Sequence, residues 1–406
     1  MTPSHRQLLA LGLTALAVGA CTDEPQVTEP IGPEAGIVSG ASGIASRTSV
    51  YTHNLLLGGD TGPLFSLDLS SPEGLPQVIA AAATFYAQVQ ASNIPERAAA
   101  FVDYIERNRP EVVGLQEATG YVEGSLFLGD FSFTPAAPGP DLLASVMAEI
   151  AARGLPYSIA GVQPTTAIAL PVGPPDAAFV APAIGVQDRV VMLRRDDVDP
   201  VSTASGLFAA RLPLGPADVV RGWVSMTVDR DGTPWHYVTT HLETQGSPDP
   251  ASGVPYFIRQ VHDGQALELQ AMLAANDGVT VLMGDLNSDA EAEPGEPSHT
   301  DTYANLVGAG WVDVWEAAPH PRRARGYTCC SVDGPEPRTP DERIDFVLVR
   351  GEGLTGDFSD DHTLYRARVV GTRRLDRTPS GLWPSDHGGI VATIRQIRRH
   401  KSDWRH

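Results

Sequence analysis

The stretch Val279-Thr-Val-Leu-Met-Gly-Asp-Leu-Asn287 decides how the rest of this 406-residue chain is read. Val279 to Met283 are almost wholly apolar and β-favouring, the composition of a strand buried on both faces. Gly284 ends it. In extended backbone, residues two apart point to the same side. Asp285 and Asn287 therefore stand side by side at the end of a rigid strand, a carboxylate next to a carboxamide. Such a pair suits an oxygen-ligand metal site or an activated water. Gly, Asp and Asn are also ordinary turn residues, so alone the stretch serves equally well as a strand-to-loop turn.

Other strand ends carry similar chemistry. Ser49 to Leu57 reads as the first strand, with Asn54 inside it. A buried amide must be hydrogen-bonded, so Asn54 is either a satisfied core residue or part of a site. A helix over Arg97 to Asn108 sets Ala98, Phe101, Val102 and Ile105 at helical spacing and stops at Pro110. It leads into Val112-Val-Gly-Leu-Gln-Glu117, a short buried strand that delivers Gln116 and Glu117. Glu is ordinarily a surface residue; one leaving a buried strand is also a metal-ligand candidate. Gly222 to Val228 and Trp235 to Leu242 alternate around the turn signal Asp229-Arg-Asp-Gly232, an antiparallel pair. The second of them ends in Thr239-Thr-His-Leu242, where His241 is either structural or a phosphate contact. Arg343-Ile-Asp345-Phe-Val-Leu-Val349 places an acid within a strand, and a buried acid needs a partner. Trp383-Pro-Ser-Asp386-His387 leads into a final strand that runs to Ile394.

The segments between these strands set the class. Residues 77 to 92 read as helix, and 118 to 140 as a Gly/Pro-containing loop too long for a simple connection. Asp141 caps a helix with Leu142, Leu143, Val146, Met147 and Ile150 on one face. Residues 154 to 186 give short strand-like pieces. A helix spans about Pro255 to Ala275, 288 to 300 is loop, and Asp301 starts a short helix that Gly308 and Gly310 end. Strands with helices between them, plus hairpins, fit a mixed-sheet α/β domain.

Composition narrows the chemistry. Hydrophobic content is 42% and charged content 19%, enough for a sizeable core. The net charge of −20 opposes non-specific adhesion to nucleic acid or anionic membrane. A divalent metal or a local Arg cluster would offset that field. Arg322, Arg323 and Arg325, or Arg373, Arg374 and Arg377, are the candidate clusters, against their reading as solvated loop charge. Lys401 is the only lysine, which sets Schiff-base chemistry aside. Phe127, Phe131 and Phe133 form either a loop cluster or an apolar wedge.

The N-terminus reads as a targeting segment. His5 and Arg6 precede an apolar run from Leu8 that is too short to span a bilayer comfortably. Val18-Gly-Ala-Cys21 resembles a bacterial lipobox, which implies a signal peptide over 1–20 and lipidation of Cys21. Residues 22 to 46 read as a flexible tether, 47 to 396 as the globular domain, and 397 to 406 as a basic tail. The expected location is the cell envelope, lipid-anchored to a membrane or released from it, with the anchor as the only membrane contact. Cys329 and Cys330 are adjacent. Two free thiols are the default, a disulfide needs an unusual backbone, and the spacing does not suit a zinc site.

Taken in order, Asn54, Gln116-Glu117, Thr240-His-Leu242, Gly284-Asp-Leu-Asn287, Arg343-Ile-Asp-Phe346 and Ser385-Asp-His387 resemble the endonuclease/exonuclease/phosphatase superfamily. That family includes DNase I-like nucleases, abasic-site endonucleases, neutral sphingomyelinases and inositol polyphosphate 5-phosphatases. The resemblance covers about residues 48 to 396. It implies a four-layer α-β-β-α sandwich of two mixed sheets and a metal-dependent phosphoric ester hydrolase. It also implies Mg2+, with Mn2+ or Ca2+ as substitutes, held by Glu117, Asp386 and Asn54. Asp285 and Asn287 would hold the water and phosphate, His387 would be polarised by Asp345, and His241 would contact a phosphate oxygen. Nuclease members often carry an acid two residues after the first-strand Asn, where this chain has Leu56. Asp60 lies too far on to replace it. Nucleic acid, a phospholipid headgroup and a small phosphate ester therefore all stand as substrates. A monomer is expected. The alternative is a non-catalytic binding module on the same fold.

Overall fold

In the computed structural model, two pairs of parallel strands stand at the centre of two mixed sheets. The structure describes residues 44–65, 74–214, 217–296, 299–321, 324–331, 339–354 and 364–397. Cys21, the signal segment, residues 22–43 of the expected tether, the tail beyond 397, Arg322 and Arg323 lie outside them, whereas residues 44–46, expected to be tether, already belong to the first strand. The described residues belong to one compact unit, Ile37–His406. Among them no helix is long and apolar enough to cross a membrane.

In chain order the elements are β1 (Ile44–Asn54), α1 (Gly62–Phe65), α2 (Gly74–Ala91), α3 (Ile94–Asn108), β2 (Val112–Gln116), β3 (Gly120–Phe127), β4 (Ser132–Asp141), α4 (Leu142–Ala152), β5 (Tyr157–Pro171) and β6 (Val180–Arg195). They continue with β7 (Ser202–Leu207), β8 (Leu212–Leu214), β9 (Ala217–Val219), β10 (Gly222–Arg230), β11 (Thr233–His241), α5 (Val254–Ala274), β12 (Val279–Asp285), α6 (Asp301–Gly308), β13 (Val312–Asp313), α7 (Val314–Ala317), β14 (Asp345–Arg350), β15 (Tyr365–Val370) and β16 (Gly389–Ile397). One sheet has the order β15-β16-β1-β2-β6-β3-β4, with β5 on the other edge of β6. The other runs β13-β14-β12-β11-β10-β7. β1 and β2 are parallel, as are β11 and β12; their neighbours in the sheets are antiparallel.

Period two sorts the apolar residues into layers. Val50, Val112, Val190 and Met192 point inward and meet Trp235, Tyr237, Val279, Val281 and Met283 of the facing sheet. Their sequence neighbours Tyr51, Val113, Val191 and Leu193 point outward against α3 and α4. Leu282 and Val238 likewise point outward against α5 and α6. The result is a four-layer α/β sandwich. Both sheets are covered on both faces, which is why their central strands read as continuous apolar runs.

The hairpin between β10 and β11 turns on Asp231 and Gly232, both at positive φ, as a tight two-residue loop requires. Asp141 caps α4 by accepting from the Ala144 amide at 2.8 Å. β1 ends at Asn54 rather than Leu57, so the amide closes the strand instead of sitting inside it.

Two expectations fail. The segment 118–140 is not a loop but the β3–β4 hairpin. Pro135 and Pro138 are tolerated there because β4 is an edge strand. Residues 154–186 are not short pieces but most of two long strands, of 15 and 16 residues. Gly and Pro broke the alternation that would have revealed them. β6 uses its second half to pair with β2 and its first half to pair with β3. The β3–β4 hairpin therefore rises beyond the end of β2 by roughly 25 Å. Phe127 and Phe131 are exposed near its tip, and Phe133 packs over Gly124 and Gly185 on its face.

Close approach of the two sheets depends on Gly114 in β2. A Cβ there would lie 2.5 Å from Thr239 Oγ1 and 3.0 Å from Met283 Cγ of the facing sheet. Gly114→Ala should destabilise the protein by about 1–3 kcal/mol, read as a lower midpoint in urea denaturation. An unchanged midpoint would mean that the sheets separate freely at this point.

Candidate active site

The C-terminal ends of both parallel pairs open on one rim, the end of a sheet at which α/β folds place ligands. Asn54 closes β1 and Gln116 closes β2 in register. His241 and Asp285 close β11 and β12 in register, and Asp345 opens the neighbouring β14 opposite Asp285. Asp386 and His387 precede β16, which returns antiparallel to β1. Sequence-distant polar groups meet here because the parallel strands end where their antiparallel neighbours begin.

Asp285 is the hub. Its Oδ2 accepts from Asn54 Nδ2 at 3.0 Å and lies 3.4 Å from His241 Nε2. Its Oδ1 accepts from the Asn287 amide at 2.9 Å. Asn287 Nδ2 lies 3.2 Å from His241 Nε2 and donates to the Leu242 carbonyl at 2.9 Å. Burial, reinforced by the Asp345 charge, raises the Asp285 pKa to about 7.

His387 Nδ1 donates to Asp345 Oδ2 at 2.8 Å, and among the described residues the buried Asp345 Oδ1 has no hydrogen-bond partner. Burial alone would lower the His387 pKa. The charge and hydrogen bond of Asp345, with Asp386 and Asp285, reverse this and hold it well above its ordinary value. The charged imidazolium form is therefore favoured. The Ser385 hydroxyl braces the turn: it donates to the Asn54 carbonyl at 2.7 Å and accepts from the His387 amide.

Glu117 sits at the break between β2 and β3 with φ +51°. It and Asp386 are half-buried, more open than the groups around them. Among the described residues the Glu117 carboxylate has no hydrogen-bond partner. Burial and the charges of Asp386 and Asp188 raise its pKa to about 8.

All eight residues singled out at this rim thus lie on it. Asn54 differs in detail from the expected ligand. Its amide nitrogen holds Asp285, and its amide oxygen accepts from the Leu56 amide. Asp60 is exposed and hydrogen-bonded to Gly62, away from the rim residues. Arg325 pairs with Glu291, and Arg377 lies 4.3 Å over the Trp383 ring.

Arg221 and Asp188 were not anticipated. Arg221 Nη1 donates to His241 Nδ1 at 3.0 Å, while its other end pairs with Glu243 at 3.3 Å. Burial, then the Arg221 and His387 charges, press the His241 pKa well down. The neutral form of His241 is therefore favoured, with its Nε2 between Asp285 Oδ2 and the Asn287 amide nitrogen. Gly222 pairs with His241 across the hairpin, so a basic residue just before that strand was the available signal. Asp188 is held by the Thr119 and Thr165 hydroxyls opposite the Glu117 break; nothing in its local sequence marked it. Cys329 and Cys330 are not free thiols in this structure but are joined as a disulfide between neighbours.

Removing the Asp345 charge should release His387. In Asp345→Asn the His387 pKa, followed by NMR titration, should fall by more than about one pH unit. An unmoved titration would mean that another group holds the proton.

The chain matches the family model described as "Endonuclease/Exonuclease/phosphatase family" over residues 52–387. No curated protein matches it. Three solved structures are similar to it. An endonuclease/exonuclease/phosphatase from Beutenbergia cavernae DSM 12333 is 20% identical, with TM-score 0.48, covering 86% of this chain and 72% of that one. A family protein from Bacteroides thetaiotaomicron is 14% identical, with TM-score 0.48 and coverages of 86% and 98%. D. rerio TDP2 complexed with a single-strand DNA product is 18% identical, with TM-score 0.45 and coverages of 87% and 100%. With the model spanning most of its length, this chain belongs to the endonuclease/exonuclease/phosphatase family.

Proposed function

We propose that the chain is a divalent-metal-dependent phosphoesterase that hydrolyses a phosphodiester or phosphomonoester bond. One observation carries this reading: an Asp345-held imidazolium, His387, lies beside a buried Asp285 whose pKa is raised toward neutrality. Those are an electrophilic and a basic group at one point, the two functions that in-line hydrolysis of a phosphate ester needs. We propose in addition that the protein is exported and tethered through a lipidated Cys21, on the strength of its N-terminal sequence.

The residues fit a hard cation. Glu117 and Asp386 offer only oxygen and are half-buried, and burial followed by the Asp386 charge raises the Glu117 pKa. A bound Mg2+, Mn2+ or Ca2+ would neutralise charge on the phosphoryl oxygens. Glu117 and Asp386 would hold it, with a second face of the site open to substrate.

The chain's own groups divide the remaining work. His387 Nε2, pointing away from Asp345, donates to a non-bridging oxygen. Neutral His241 and the Asn287 amide orient the phosphate and water. Asp285 takes the water's proton. A raised pKa suits it to that task, whereas a protonated His387 cannot act as the base. Arg221 keeps His241 neutral and adds positive charge behind it. The substrate is a nucleic acid, a phospholipid headgroup or a small phosphate ester; the net charge of −20 weighs against long polyanions.

Parallel assays on bis-p-nitrophenyl phosphate, duplex and single-stranded DNA, and sphingomyelin vesicles test the reading. Turnover on at least one should require a divalent cation and vanish with EDTA. His387→Ala should lower kcat by about 10²–10⁴-fold. Full activity in EDTA or in His387→Ala would overturn the assignment, and inactivity on every substrate class would favour a binding module. The pH profile follows from the signs. Asp285 works deprotonated, so kcat/KM should rise with pH as its proton leaves, at or below about 7, because a bound cation lowers a neighbouring carboxyl pKa. His387 works protonated, so activity should fall when it deprotonates. Asp285→Asn should lose the acidic limb in its residual rate.

A further inference from the structure

The Cys329–Cys330 pair is built into the rim. The Thr328 hydroxyl accepts from the amides of Ile344 and Asp345, at 3.3 and 3.2 Å. The Thr328 carbonyl accepts from the Gly388 amide at 2.6 Å, and the Ser331 amide donates to the Asp386 carbonyl at 2.6 Å. Cys329 itself bridges to Glu342. The two cysteines are thus clamped between the segment that carries Asp345 and the turn that carries Asp386 and His387. Both sulfurs and a ring nitrogen of His387 lie within 4.8 Å of one another. Cys329 is buried and Cys330 half-buried, so the pair is reached from the Cys330 side.

As a disulfide the pair is a weak ligand. As thiolates beside an imidazole it is a soft donor set, unlike the all-oxygen pair Glu117 and Asp386. The adjacent spacing of the two cysteines does not by itself suit a zinc site, but the fold brings His387 to them as a further nitrogen ligand. Ligand atoms around a four-coordinate zinc stand about 3.3–3.8 Å apart, so once the bond between them is broken the two sulfurs must part while the imidazole stays within reach of both.

We propose that Cys329, Cys330 and His387 form a redox-gated site for a thiophilic divalent cation, of the Zn2+ or Cd2+ type, that silences the enzyme. A dithiol reductant supplies two electrons and two protons. The Sγ–Sγ bond breaks, two thiols form, and the reductant closes to its own disulfide. Cation binding then releases both thiol protons and one His387 ring proton to solvent, and the lone pair so freed goes to the cation, so the ring is no longer free for substrate. The inhibitory part rests on the role proposed for His387; cation binding itself does not.

The test uses the full chain carrying Cys21→Ser, so that only the two rim cysteines remain. Purified protein is titrated with Cd2+ in excess Mg2+, before and after dithiol treatment and desalting. The expected result is no thiolate-to-cadmium ultraviolet band before reduction. After it, a band should saturate at one Cd2+ per chain, with activity falling at least tenfold and returning on reoxidation with cadmium removed. Cys329→Ser/Cys330→Ser should show no band, and His387→Ala should bind Cd2+ at least tenfold more weakly. No band after reduction, equal Cd2+ affinity in His387→Ala, or two free thiols in the untreated protein would each overturn the proposal. The band is read without turnover, so an enzyme inactive on every phosphoester would still report on the site.

Discussion

Four carboxylates, Glu117, Asp285, Asp345 and Asp386, share one rim of the sandwich, the middle two fully buried and the outer two half-buried. Repulsion between buried charges is strong, and an unbalanced buried charge is not tolerated. Each acid is answered in a different way. Asp345 holds His387, Asp285 is held by Asn54 and the Asn287 amide, and Asp386 accepts from the Ser385 hydroxyl. Glu117 receives no partner from the described chain and rises to about 8. Under the proposed function it is the ligand left for a cation. His387 and Arg221 are the basic groups that stand among these acids, in a protein whose net charge is −20.

The rest of the fold keeps those groups at fixed distances. Two parallel pairs, one in each sheet, end at the same level, and their antiparallel neighbours start there. Gly114 lets the sheets close, and the Thr328–Ser331 segment ties β14 to the turn before β16. The Asp345–His387 hydrogen bond thus spans two sheets and is braced on both sides. Such bracing is what holds an imidazole to one donor and one direction.

Much of this was legible in the sequence because burial on both faces leaves a plain trace. Val279 to Met283 and Val112 to Leu115 read as strands from their apolar runs, and polar residues at the ends of such runs had no bland explanation once several occurred in one chain. The extension above the rim was not legible. Pro135, Pro138 and Pro164 lie where an edge or a bulge tolerates them, and an exposed edge such as β7 leaves no alternation to detect. Arg221 and Asp188 were missed for another reason. Their importance comes from cross-strand register opposite His241 and Glu117, and register is a tertiary fact. The disulfide between Cys329 and Cys330 was weighed on local backbone alone, whereas its surroundings are set by residues from Glu342 to Gly388.

The central claim is that a cation replaces a proton at Glu117. Calorimetric titration of Mg2+ at pH 7, in buffers of different ionisation enthalpy, counts the protons released on binding. The account predicts release of about one proton per Mg2+ in the wild type and none in Glu117→Gln. Mg2+ binding with no proton release in the wild type, or with the same release in Glu117→Gln, would contradict it.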